Sequence, residues 1–121
     1  MMYHELIRRI KEAAGAQEDE SQDALELVVE NVAVHLSDPT RRDFAAGLPH
    51  ELQSAAMMVP TANHIDEDII EQLMDIENVD ESSAKQQIRA AWHAIRDMFD
   101  GQEVKDITNQ LPKSVIASLE A

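Results

Sequence analysis

The stretch LELVVENVAVHL at residues 25–36 and the stretch IRAAWHAIRDMF at residues 88–99 have the same apolar pattern. In both, apolar side chains occupy the first, fourth, fifth, eighth and twelfth positions, which is the spacing of one face of an α-helix. The two stretches begin 63 positions apart, and Leu48-Pro49 and Leu111-Pro112 are separated by the same distance. A pattern of faces and breaks that recurs at a fixed offset indicates an internal repeat.

Signals that end helices recur at the same offset. Gly15 corresponds to Asn78, and these two residue types best tolerate the left-handed conformation that follows a helix. The proline of each Leu-Pro pair disfavours helical geometry in the leucine before it, so a short helix ends there in each half. These signals predict four helices per half, with the second helix the longest, at about residues 18–36 and 81–99.

The sequence therefore predicts an all-α fold in which two pseudo-symmetric four-helix repeats pack into one helical bundle. We expect residues 1–121 to form a single domain, with repeat one at about 1–60 and repeat two at about 64–121. The length of 121 residues suits one domain with a sizeable core. The hydrophobic fraction is 44%, with only one Trp, one Tyr and two Phe, so this core is built mainly from aliphatic side chains.

Composition limits the chemistry. The chain has no cysteine, which excludes disulfides, thiol catalysis and cysteine-type zinc sites. Its longest apolar run is too short to span a bilayer, and an amphipathic stretch begins at once after the first residues, so we expect no secretory signal and a cytoplasmic location. The formal net charge is −14, which disfavours both nucleic acid and anionic membranes as partners.

Metal and cofactor sites are not expected. Residues 66–81 contain eight acidic side chains, but an EF-hand loop that starts at Asp75 would have Asp80 at the glycine position and Gln86 at the closing-glutamate position. The acids are interpreted as a solvated helix face, with a weak divalent-cation or basic-partner patch as the alternative. No two histidines are three or four residues apart, so no helix presents a two-histidine metal site.

One charged pair and one methionine pair are candidates for an interaction surface. Arg42-Asp43 in the first half corresponds to Lys105-Asp106 in the second, and this is the only charged pair that both halves keep. A structural role in packing is the alternative interpretation. Adjacent methionines form adaptable apolar contacts at binding surfaces, although they also fill cores. The candidate residues are Arg42, Asp43, Lys105, Asp106, Met57 and Met58.

Several of these features occur together in a known family. The chain has an opening Tyr-x-x-Leu-Ile run from Tyr3, a glycine turn before an acidic helix start, a long aliphatic helix, and Phe44-x-x-x-Leu48-Pro49. Ile107 replaces the phenylalanine in the second half. In this ordered set the chain resembles the domain-of-unknown-function 2267 family of prokaryotic proteins from Tyr3 to Leu119. The resemblance implies an all-helical tandem repeat, and it implies no reaction.

Two functions follow as hypotheses. The first is a non-enzymatic helical interaction or regulatory module that binds another protein or a second copy of itself. It rests on the acidic composition, the repeat, and a sequence without a nucleophile motif or a glycine-rich phosphate loop. The alternative is a small-molecule or metal-responsive protein with a pocket between the two long helices, where Trp92 lines the cavity. We expect no enzymatic activity and no cofactor.

Overall fold

The computed structural model describes residues 2–58 and 68–121, and all structural statements below concern these residues. Their regular secondary structure consists of eight α-helices without a strand. The predicted all-α fold is therefore confirmed. The helices are α1 Tyr3–Ala14, α2 Glu18–Ala33, α3 Asp38–Ala46, α4 His50–Met57, α5 Ile69–Glu77, α6 Glu81–Arg96, α7 Gly101–Thr108 and α8 Lys113–Leu119.

Corresponding helices of the two halves have similar bounds. The helices α2 and α6 each contain 16 residues and begin 63 positions apart, and α3 and α7 begin at the same offset. Both long helices end three residues earlier than the sequence predicted, because the chain tightens into a turn: Leu36 N donates to Ala33 O and Phe99 N donates to Arg96 O, each at 3.1 Å. A two-fold relation between the halves stays a prediction, which superposing α1–α4 on α5–α8 checks.

The caps follow the local sequence. Gly15 (φ 64°) and Asn78 (φ 53°) both adopt the left-handed conformation after α1 and α5, as their residue types predict. Asp80 begins α6 by accepting a hydrogen bond from Ser83 N at 2.8 Å. Within the described residues, α5 begins at Ile69, where Asp68 accepts a hydrogen bond from Ile70 N at 3.1 Å.

Helices from the two halves pack against each other rather than as two separate units. The long helices α2 and α6 pack together, α1 lies against both of them, and α5 also lies against both. The helix α3 contacts α7, and α8 reaches α6, α5 and α2. One hydrophobic cluster takes side chains from all eight helices, so the packing of either half depends on the other.

Two aromatic rings join α3 to the end of α6. Phe44 is almost fully buried, and its ring stacks on that of Phe99 with centroids 5.5 Å apart and an interplanar angle of 25°. Gly47, directly after α3, lies so close to Phe99 that a Cβ built on it would be 2.4 Å from Cε1 of that ring. A residue without a side chain is therefore needed for this packing.

A buried arginine connects α3 to the end of α2. Arg41 donates from Nε to Ala33 O at 3.0 Å and from Nη2 to Leu36 O at 3.3 Å. Ala33 is the last residue of α2 and Leu36 lies in the turn that follows, so the guanidinium lies at the helix C-terminus, where a positive charge is favourable. None of the described helices is both long enough and apolar enough to cross a membrane.

Candidate functional site

The fold separates charge between two pairs of helices. The pair α1 and α6 carries six basic and three acidic side chains, and the six include Arg8, Arg9, Lys11, Lys85, Arg89 and Arg96. The pair α2 and α5 carries nine acidic side chains and no basic one. Because the whole chain has only 10 Lys and Arg, more than half of its positive charge lies on two neighbouring helices.

A groove of about 540 Å³ lies between α1 and α6. Alanine is small, so Ala13 and Ala90 leave space between the two helices, while three potentially cationic side chains border that space. We call it the basic groove, and it is lined by Arg9, Ala13, Gln86, Arg89, Ala90 and His93. A groove of this kind attracts carboxylates.

The cations of the basic groove differ in their partners. Arg9 donates from Nη2 to Asp97 Oδ2 at 2.8 Å, and His93 Nε2 lies 3.2 Å from Glu120 Oε2. Arg89 is exposed and forms no hydrogen bond or ion pair with any residue in the described parts of the chain. Its guanidinium is therefore available to a binding partner.

Glu120 fixes one end of α6. Its Oε1 accepts hydrogen bonds from Trp92 Nε1 at 2.8 Å and from Arg96 Nη1 at 3.1 Å. Partial burial alone raises the pKa of Glu120, but hydrogen bonds from Trp92 and His93 and the positive charges nearby outweigh it and hold that pKa below its ordinary value. The charge on Glu120 gives the indole N–H of a nearly buried ring its required acceptor.

A second surface, on α2 and α5, has the opposite charge. Asp23, Glu26 and Glu30 belong to α2, and Ile76 and Glu77 belong to α5, which packs against α2; we call these five residues the acidic face. The Glu77 and Asp23 carboxyl groups are hydrogen-bonded to each other. The side chain of Ile76 is 55% exposed, so an apolar side chain projects from a surface of carboxylates.

The carboxyl groups of the acidic face are close enough to raise the pKa values of two of them. The hydrogen bond with Asp23 raises the pKa of Glu77 to about 7, with partial desolvation and the charges of Asp23, Asp19 and Glu20 acting in the same direction. The pKa of Glu30 is raised as well, first by burial and then by the charge of Glu26. No basic side chain belongs to α2 or α5 to offset this crowding.

We expect a pH-dependent stability that Glu77→Gln removes. Between the unfolded pKa of 4.5 and the folded pKa of about 7, native Glu77 holds a proton that the unfolded chain has released. Its contribution to stability is therefore present below the lower value and is lost as the pH rises through about 7. Glutamine carries no charge, so the variant is more stable than the native chain at about pH 8 and nearly equal to it near pH 4.

Urea unfolding of both chains across this range measures the difference. The pKa of His35 is lowered by burial, but His35 is present in both chains, so its titration cancels in the comparison. Parallel stability curves for the native chain and the variant would contradict the raised pKa of Glu77.

The residues that the sequence singled out as an interaction surface lie in two places. Arg42 and Asp43 are exposed on α3, and Lys105 and Asp106 are exposed on α7. Of these four residues, Asp43 and Asp106 line the small cleft of about 50 Å³ between α3 and α7, which Phe44 and Phe99 also line. Met57 and Met58 are exposed at the end of α4 and do not line that cleft. A role for this surface stays a prediction.

The seam between the long helices is packed. Trp92 is 3% exposed, and it lies in the core cluster with residues such as Val29 and Val32 of α2. A polar cleft of about 300 Å³ lies elsewhere, between α2, α5 and α8, and includes Asn31 and His35. In the parts of the chain that the structure describes, no group of three His, Asp or Glu side chains is arranged to hold a metal ion.

Sequence reasoning missed the basic groove, although the repeat contained a signal for it. At an offset of 63, Arg89 corresponds to Glu26 and His93 to Glu30. Comparing the sign of charge at paired positions would have shown that the two halves differ on this surface. A count of charge by halves would not show this, because α1 and α6 belong to different halves.

Comparison with known proteins places the chain in a family. The family model described as Uncharacterized conserved protein (DUF2267) matches residues 3–117. No curated protein and no solved structure matches the chain. The family match covers nearly the full length, and the chain therefore belongs to the DUF2267 family.

Proposed function

We propose that the protein is a non-enzymatic interaction module and that its basic groove binds an acidic helical segment of protein. The observation that carries this proposal is the concentration of six basic side chains on α1 and α6 in a chain with a net charge of −14. Arg89 is exposed and forms no ion pair with the described residues, so its guanidinium can pair with a carboxylate of a binding partner.

The shape of the groove supports a helical partner. At 1.5 Å per residue, the 16-residue α6 is about 24 Å long and the 12-residue α1 is about 18 Å long. A space between two helices of this length accepts a third helix, whose apolar side chains rest on small residues while its polar side chains meet the groove edges. In the basic groove, the small residues are Ala13 and Ala90, and Arg89 is the polar residue at its edge.

Protein is a better partner for this groove than nucleic acid. A duplex presents a dense row of phosphates along its length and depends on many cation contacts. The nine acidic side chains of α2 and α5 and the net charge of −14 would repel such a polyanion. A short acidic helix needs only the local positive potential of the groove. A cytoplasmic location, without membrane binding, is part of the same proposal.

Fluorescence anisotropy with two labelled helical peptides tests the proposal. One peptide carries glutamates and one stripe of leucine and isoleucine, and the other has lysine in place of each glutamate. We expect saturable binding of the acidic peptide only, and Arg89→Glu should weaken it roughly tenfold or more, since a rim attraction becomes a repulsion. Arg42→Glu is the matched control, because it makes the same charge change on exposed α3.

The outcomes separate the candidate surfaces. Loss of binding in Arg42→Glu but not in Arg89→Glu would assign the activity to the surface of α3 and α7 and overturn the groove. Equal binding of both peptides would show that charge is irrelevant. Binding of a labelled DNA duplex at about 0.15 M salt, lost in Arg89→Glu, would replace the protein partner by nucleic acid.

A further inference from the structure

At an offset of 63 positions, residues of the basic groove correspond to residues of the acidic face. Glu26 and Glu30 stand where the groove has Arg89 and His93, and Asp23 stands where it has Gln86. The two surfaces also differ in size, since the exposed Ile76 corresponds to Ala13 and the buried Leu27 corresponds to Ala90. One surface thus has cations around a space, and the other has carboxylates around a projecting apolar side chain.

The local packing of the two surfaces is comparable. Arg9 of α1 bonds to Asp97 just after α6, and Gln72 of α5, at the same offset, donates to Asn31 Oδ1 of α2 at 3.2 Å. In both cases the first helix of one half is held against the long helix of the other. The acidic face is therefore a surface of matching length whose charge is reversed.

We propose that the acidic face of one copy of this chain docks in the basic groove of a second copy. Ile76 then occupies the space beside Ala13 and Ala90, and Glu26 or Glu30 pairs with Arg89. This inference rests on the proposed function, and it names the occupant of the groove. It gives Arg89 a carboxylate partner and covers the apolar side chain of Ile76, which otherwise remains in water.

The proposed interface is heterologous, because two different surfaces of the same chain meet. Each pairing leaves one free groove and one free acidic face, so the assembly grows head to tail or closes as a ring. Carboxylate crowding on the acidic face supports this arrangement, since the hydrogen-bonded Glu77 and Asp23 pair lies beside no basic residue of its own two helices. A cationic groove relieves that crowding.

Net charge determines how the association depends on salt. Copies with a charge of −14 repel each other over about 30 Å at 0.01 M salt, but the screening length falls to about 8 Å at 0.15 M. Near 1 M it is roughly 3 Å, and the pairing across the interface is screened as well. We therefore expect association to be strongest at intermediate salt and weaker at both extremes.

Sedimentation of the full chain, from micromolar to millimolar concentration at about 0.15 M salt, tests the inference. We expect the mass of the native chain to rise with concentration beyond that of one copy. Arg89→Glu, which damages the groove, and Ile76→Glu, which damages the acidic face, should each stay monomeric. An equimolar mixture of the two variants should form a 1:1 dimer, because one intact groove and one intact acidic face remain.

The controls keep the result interpretable. Arg42→Glu should associate like the native chain, and circular dichroism should show that both single variants keep their helices, since both substituted side chains are exposed. A native chain that stays monomeric throughout, or a mixture that stays monomeric, overturns the inference. If Arg89→Glu still loses the acidic peptide in that case, the proposed function stands without self-association; if it retains the peptide, the proposed function fails as well.

Discussion

Replacing Trp92 by alanine is expected to lower the free energy of unfolding by about 3–5 kcal/mol, the usual range for a buried aromatic side chain. The ring is 3% exposed and lies in the common core, so its removal leaves a cavity among side chains of both halves. It also removes the indole Nε1–H, which donates a hydrogen bond to Glu120 Oε1 at 2.8 Å. Urea unfolding with a fixed slope measures the loss.

Two further variants divide this effect into its causes. Trp92→Phe keeps most of the apolar area but removes the N–H, so the remaining loss measures the hydrogen bond to Glu120 together with a smaller cavity. His93→Ala is the neighbouring control; its side chain is partly exposed and it also contacts Glu120, and we expect a loss of less than about 1 kcal/mol. Equal, small losses for Trp92→Ala and His93→Ala would show that the core does not depend on the ring.

Gly47→Ala is expected to destabilise the protein by about 1–3 kcal/mol, although a methyl group is a small addition. Gly47 has φ −83° and ψ −8°, a conformation that alanine adopts without strain. The cost comes from the contact, because the new Cβ would lie 2.4 Å from Cε1 of Phe99. That ring is stacked on the buried Phe44 and cannot move away without disturbing it.

The matched control is Gly101→Ala at the first residue of α7, where an added Cβ meets nothing within 4 Å. We expect that variant to be neutral or slightly stabilised, since alanine reduces the freedom of the unfolded chain. Combining Gly47→Ala with Phe99→Leu should recover part of the loss, as a flexible side chain makes room for the methyl group. Equal stability of the two glycine variants would mean that the ring moves aside at little cost.

The sequence by itself determined the local features of this protein. Helix faces follow from apolar spacing, and the caps at Gly15, Asn78 and Asp80 follow from the conformations that those residues favour. Each of these depends on residues within about one turn of helix, so the sequence order contains the necessary information. The resemblance to the DUF2267 family depends on the order of such features and could also be recognised without the structure.

The tertiary structure alone decided which helices are neighbours. The sequence predicted the long helices, but not that α1 lies against α6 of the other half or that Arg41 closes the end of α2. Such contacts join residues that are distant along the chain, and amphipathic spacing specifies that a face is buried without specifying its partner. For this reason a chain with evenly acidic halves has a basic groove on one pair of helices and an acidic face on the other.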